Sequence, residues 1–228
     1  TVGEKAYVSG HSSGGLLATW LAANASEDVR GVVLEDPPFF STEAARNPTA
    51  FAWVDNFSTI HGFLNQSEEA NYTRYYLEHC HMQKLVGRGW EGMKSFALKF
   101  MEKNPGKPLR VFFLPPAANR LFDMLNTAYD LHFGEAFYNC SWFDGYDREK
   151  ILSSIRCPSV LIHTNWSYTA DGILLAAMSG DDAQRAHELI PGNEMVKVNS
   201  GHDFHWEKPR AFVKVMTDFL DKTSGIEP

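Results

Sequence analysis

The 228-residue chain is short of cysteine, of positive charge and of long apolar runs, and each shortage removes a class of protein. Cys80, Cys140 and Cys157 are too few and too scattered to staple a small fold, so burial of apolar surface must hold it together. Lys and Arg number 21 against 28 Asp and Glu, a formal net charge of −7, which leaves no basic footprint for nucleic acid or an anionic membrane. No apolar run approaches the roughly 18 residues of an integral membrane segment. His79-Cys80-His81 would point three ways around a solvated helix face, so no metal site is read there, and no cofactor is expected. Internal repeats and low-complexity tracts are missing as well. What remains is globular in make-up, at 44% hydrophobic and 21% charged, long enough for one core or for a core with a covering subdomain. The compartment stays open. A soluble cytoplasmic protein is slightly favoured, yet sequons at Asn24, Asn56, Asn65, Asn71, Asn139 and Asn165 exceed the about 1.4 that chance gives and keep the secretory route in view.

Two textures alternate along the chain. Residues 5–9 (KAYVS), 29–36, 158–163 and 194–198 are compact aliphatic runs bounded by turn residues, the pattern of short buried strands. Between the first two lies a helix former in which Leu16, Leu17, Trp20 and Leu21 recur at helical spacing. Strand–helix–strand at this spacing predicts a right-handed crossover and a parallel sheet. Pro209 opens a later helix whose Phe212, Val215, Met216, Phe219 and Leu220 form one stripe, expected to lie on the sheet. Residues 41–146 are instead helical and aromatic. Tyr72, Tyr75, Tyr76 and His79 share one face, as do Trp90, Met93, Ala97, Phe100 and Met101, and Pro105, Pro108, Pro115 and Pro116 break the block. Such stripes are mostly helix packing, but Phe57, Phe63, Tyr72, Tyr75, Trp90 and Phe96 are more rings than a thin lid needs, so some are expected to line an apolar pocket. The division expected is a core of residues 1–40 and 147–228, with 41–146 as an inserted cap.

Gly10-His11-Ser12-Ser13-Gly14-Gly15 has the form G-x-S-x-G, placed directly after a strand and opening a helix. That sharp turn holds a serine in a strained conformation, glycines clear the space beside it, and the helix N-terminus favours developing negative charge. GHSSGG, LEDPPFF at the end of the next strand, the IRCPSVLIH re-entry and the late SGHDFHWEKP together resemble the α/β-hydrolase superfamily, in particular its capped esterases, lipases and C–C hydrolases. The resemblance covers nearly the whole chain in element order. It implies an α/β fold formed by the C-terminal half of the family's sheet, parallel strands 5–8 with flanking helices, plus the helical cap. It also implies Ser12 as nucleophile, His202 as general base with His205 its nearest rival, and the N–H of Ser13 as one oxyanion donor. The family's usual acid position falls in Thr164-Asn165-Trp166-Ser167, which contains no carboxylate. A minority of members carry the acid after the preceding strand, where this chain has Asp36. Asp171, on the longer loop, stays open as the alternative.

The resulting expectation is a serine hydrolase that cleaves an ester or related acyl bond of a small, largely apolar substrate through an acyl-enzyme. A non-enzymatic receptor using the same fold is the alternative. Thr1 as an N-terminal nucleophile would leave GHSSGG unexplained. Because the family's strands 1–4 precede the serine turn, an N-terminal segment or partner chain is expected to complete the sheet.

Overall fold

A computed structural model describes residues 3–110, 119, 125 and 129–225. Thr1, Pro115 and Pro116 lie outside the described residues. Four strands, β1 (Ala6–His11), β2 (Val29–Glu35), β3 (Ser159–His163) and β4 (Glu194–Lys197), form a parallel sheet in the order β1-β2-β3-β4 among these residues. Each strand falls within a residue or two of its expected place. The main difference is that β1 runs on through Gly10 and His11, which pair with Leu34 and Glu35. The pairing ends with Ser12 N–H donating to the Glu35 carbonyl at 2.9 Å.

Central β2 and β3 are buried almost throughout, as befits strands covered on both faces. Helix Pro209–Thr223 lays its expected stripe against them. Phe219 is buried with Val33, Val160, Ile162 and Phe204, and Phe212, Val215 and Met216 pack around that cluster. Helix Ser13–Asn24 departs from the expected stripe. Its buried residues are Gly15, Leu16, Ala18, Thr19 and Ala22, while Leu17 and Trp20 are 58% and 48% exposed. Close approach at the serine turn accounts for Gly15, where a Cβ would sit 2.6 Å from Pro37 Cγ, and Leu16 is the one large residue of the inward face.

The chain forms two compact units, Thr1–Ala50 with Phe143–Pro228, and Phe51–Trp142. Residues 41–50 and 143–146 therefore belong with the sheet, not with the helical block to which the sequence pattern assigned them. Contacts remote in sequence decide this. Ser41 Oγ donates to the Ala177 carbonyl, Arg46 forms a forked ion pair with Asp182, and Arg148 donates to the Phe39 and Thr42 carbonyls. At the other boundary the Tyr146 hydroxyl meets Thr19 Oγ1 at 2.7 Å and the Leu16 carbonyl at 3.0 Å.

The second unit is helical among its described residues. A wide turn at Trp53–Phe57 runs into helix Ser58–Leu64, followed by Tyr72–His79, Met82–Val86, Trp90–Lys103 and Leu131–Tyr138. Its aromatic stripes pack on one another: Tyr76, Leu77, Cys80, Trp90, Ala97 and Leu109 are buried together, with Tyr72 and Phe96 against them, and Phe63 meets both Tyr72 and Tyr75 edge-on. Cys80 turns inward where the helix ends at His79, correcting the solvated face expected at 79–81. Cys80 and Cys157 are free thiols, and Cys157 is half-buried. Among the described residues no helix is long and apolar enough to cross a membrane.

Candidate active site

The sheet unit gathers its chemically versatile side chains where the strands end. Ser12 sits between β1 and its helix at φ +55°, and Asp36, one residue past β2, at φ +45°. Both occupy the left-handed region, which costs a non-glycine residue of order 1–3 kcal/mol and persists only where surrounding contacts enforce it. For Ser12 the enforcement is tight packing at its neighbours: a Cβ on Gly10 would collide with the Gly14 backbone, and one on Gly15 with Pro37. Gly14 is different. A Cβ there meets nothing within 4 Å, so the motif's second glycine is not required by space. Ser13 is the first residue of the helix, so its N–H lacks an intrahelical acceptor and remains available.

Asp36 is fully buried. Its Oδ2 accepts hydrogen bonds from His202 Nδ1 at 2.8 Å and from Thr164 Oγ1 at 2.8 Å, and its Oδ1 faces His163 Nδ1 at 3.7 Å. Burial pushes its carboxyl up, but His163, His202 and Thr164 outweigh that and hold it at about 2. His202 responds in kind: burial lowers its imidazole, and the bond to Asp36, with the charges of Asp36, Asp203 and Glu35, raises it above the ordinary value. With Nδ1–H donated to Asp36, the Nε2 lone pair is left to act as a base. No hydrogen bond joins the Ser12 hydroxyl to His202 in this structure. Asp171 is exposed, its carboxylate accepting from Thr169 Oγ1 at 2.5 Å, and it makes no hydrogen bond to His202.

Several neighbours escaped the sequence reading. His163 and Thr164, the end of β3 and the next residue, flank Asp36; their only sequence signal is a polar ending to the aliphatic run Val160–Ile162. Glu207 accepts from Ser200 Oγ and Gly201 N–H, each at 2.9 Å, and a side chain at 201 would run into that carboxylate, which is why glycine precedes His202. Glu35 is 1% exposed and binds His205, the residue weighed as rival base. His11, Glu35 and His205 bring donor atoms within 4.8 Å of one another, a set that in principle suits a divalent cation. Here those groups are bonded to protein: Glu35 to His205, and His11 Nε2–H to the His202 carbonyl at 3.0 Å. The cluster is thus complete as a hydrogen-bonded network.

A family model described as alpha/beta hydrolase fold matches residues 3–209. The chain belongs to that family. Solved structures agree at the level of fold. An esterase from a Rhodococcus species aligns with TM-score 0.53 at 18% identity, over 97% of this chain and 67% of its own. A thermophilic esterase from Thermogutta terrifontis gives 0.52 at 16%, over 96% and 66%, and a hydrolase from Pseudomonas aeruginosa 0.51 at 16%, over 95% and 65%. The chain thus spans about two thirds of the length of the structures it matches. No curated protein matches it.

Proposed function

We propose that this α/β hydrolase is a serine hydrolase that cleaves an ester or related acyl bond of a small, largely apolar substrate. The observation that carries the reading is the 2.8 Å bond between His202 Nδ1 and the buried, ionised Asp36, on the same sheet edge as a serine in a strained strand-to-helix turn. In this mechanism His202 Nε2 takes the Ser12 hydroxyl proton as Oγ attacks the substrate carbonyl. The oxyanion gathers charge beside the Ser13 N–H and the helix N-terminus. Collapse of the tetrahedral adduct expels the alcohol, which leaves with the proton from His202, and an acyl-Ser12 ester remains. Water then repeats the sequence, giving up its proton to His202 and releasing the acid. Asp36 stays ionised throughout, fixing the imidazole tautomer and stabilising the imidazolium. Ser12 and His202 close to hydrogen-bonding distance when substrate binds, as often happens between a free enzyme and its Michaelis complex.

Two further parts belong to the same reading. The helical unit, inserted between β2 and β3, is the family's cap, and β1–β4 are strands 5–8 of its sheet. An N-terminal segment or partner chain supplies strands beside β1, consistent with an outer side of β1 that no strand pairs among the described residues and with the exposed Leu17 and Trp20 on the following helix. Labelling with a fluorophosphonate tests the core of the proposal: covalent modification at Ser12, lost in Ser12→Ala, is expected, and a protein that neither labels nor hydrolyses p-nitrophenyl butyrate would be a binding protein on this fold.

A further inference from the structure

Glu35 and Asp36 are consecutive, and both carboxylates are buried. Each binds a histidine of the segment after β4: His202 on the loop, and His205 in the short helix Phe204–Glu207 that follows. Asp36 takes the His202 ring, and Glu35 takes His205 twice over: Oε1 accepts the His205 backbone N–H at 2.9 Å, and the His205 Nδ1 lies 3.0 Å from both carboxylate oxygens. His11, the residue before Ser12, donates to the His202 carbonyl and has its ring 4.5 Å from that of His202 and 4.9 Å from that of His205. Glu35 therefore grips the chain three residues after His202, while His11 carries the connection to the serine turn. Sinking a second carboxylate into the sheet edge is expensive unless its charge is paired or put to use. A purely mechanical tie to a backbone N–H needs only a neutral oxygen.

We propose that Glu35 is a positioning residue for the hydrolytic reaction: through His205 it fixes the loop that presents His202, and its charge favours the imidazolium that forms as Ser12 is deprotonated. The proposal rests on the serine-hydrolase reading. The charged groups facing His202 are Asp36, Glu35 and Asp203, with His11 alongside and His163 on the other side of Asp36. Glu35 is the one among these carboxylates that holds the loop backbone without touching the imidazole.

The test compares full-length wild type with Glu35→Gln, His205→Asn and His205→Ala, after fluorophosphonate labelling of the wild type. Glu35→Gln keeps an acceptor for the backbone N–H but drops the charge. It is expected to lower kcat by about 10- to 100-fold with KM changed less than about threefold, and to move the acid limb of kcat/KM to lower pH. Asparagine at 205 retains an N–H near the Nδ1 position, so it should keep kcat within about threefold while alanine loses as much as Glu35→Gln. Titration of the His202 ring by NMR, which needs no activity, should show a lower midpoint in Glu35→Gln. A normal kcat, an unmoved limb and an unmoved His202 titration beside a lowered melting temperature would overturn the proposal and leave Glu35 a structural tie. Should Glu35→Gln fail to fold, the asparagine and alanine variants decide, and equal kcat in the two would overturn it. A wild type that neither labels nor turns over would instead sink the hydrolase reading, while the NMR comparison would still judge the charge coupling.

Discussion

Asp36 at the sheet edge and Asp55 in the helical unit are both carboxylates with at most 1% exposure, yet their surroundings drive them in opposite directions. Asp55 is pushed up by burial; its bonds from the Tyr76 hydroxyl at 2.6 Å and the Met82 N–H at 2.5 Å, with His81 nearby, only moderate this. Asp36 feels the same burial but faces two imidazoles and a hydroxyl, and its carboxyl falls to about 2. Hydrogen bonds from neutral donors favour the ionised form at both sites, but only at Asp36, where two imidazoles join a hydroxyl, do they outweigh burial. Backbone strain divides the same way: Asp36 is held at φ +45°, while Asp55 sits inside a helical turn. The sheet edge carries charge and strain, as a site of chemistry does, and Asp55 reads as a cross-link between two helical segments.

The sharpest way to break this contrast is kinetic. Ser12→Ala and His202→Ala should each cost at least about 10⁴-fold in p-nitrophenyl butyrate hydrolysis, because nucleophile and base act as a unit. Near-parent activity in either would remove that residue from the mechanism. Asp36→Asn should follow at about 10³- to 10⁴-fold in kcat, through loss of the correct tautomer. Asp55→Asn and Asp171→Asn should stay within about threefold. Purified variants of matched melting temperature supply the comparison, and a larger loss in Asp171→Asn would give that residue the acid's role.

The family was legible because its signals are local: four short aliphatic runs, a glycine-flanked serine between strand and helix, and a late Gly-His. Asp36 entered as a candidate through an absence, the missing carboxylate at 164–167, and the structure brings it to His202. Glu35, His163 and Thr164 were illegible for the converse reason. In one dimension they are the polar ends of buried strands, and they acquire meaning only when the fold brings them to partners 128 and 170 residues away. The unit boundary failed similarly: residues 41–50 look like the helical block, and Arg46–Asp182, across 136 residues, is what returns them to the sheet. On the serine helix the repeat of Leu16, Leu17, Trp20 and Leu21 marks a helix without marking its buried face: Leu16 is buried, while Leu17 and Trp20 are exposed.

A smaller effect concerns stability, with opposite signs for the two aspartates. Asp36 has a depressed folded-state pKa, so its ionised form stabilises the fold above the ordinary carboxylate range near 4, and this is lost as pH falls toward about 2. The displacement is worth about 2 kcal/mol. Asp55 has a raised pKa, so its contribution is fullest below pH 4 and is lost as pH rises through the folded value. Urea unfolding between pH 2.5 and 6.5 should therefore show the wild-type advantage over Asp36→Asn growing with pH, and that over Asp55→Asn shrinking. Parallel slopes would erase the distinction between the two buried acids.

The smallest effect tests whether the helical unit's interior is packing alone. Trp90 is 2% exposed and donates its indole N–H to the Leu77 carbonyl at 3.1 Å, at the centre of the cluster with Tyr76, Cys80 and Ala97. Trp90→Phe keeps an aromatic body, removes that donor and leaves a gap the size of the lost ring. An unmade hydrogen bond and a partly filled cavity together should cost about 1–3 kcal/mol of stability. Because Trp90 is sealed within this cluster and carries no charge, kcat is expected to stay within about twofold. A fall in kcat with stability unchanged would mean that this ring governs turnover directly, and that buried aromatics here do more than hold helices together.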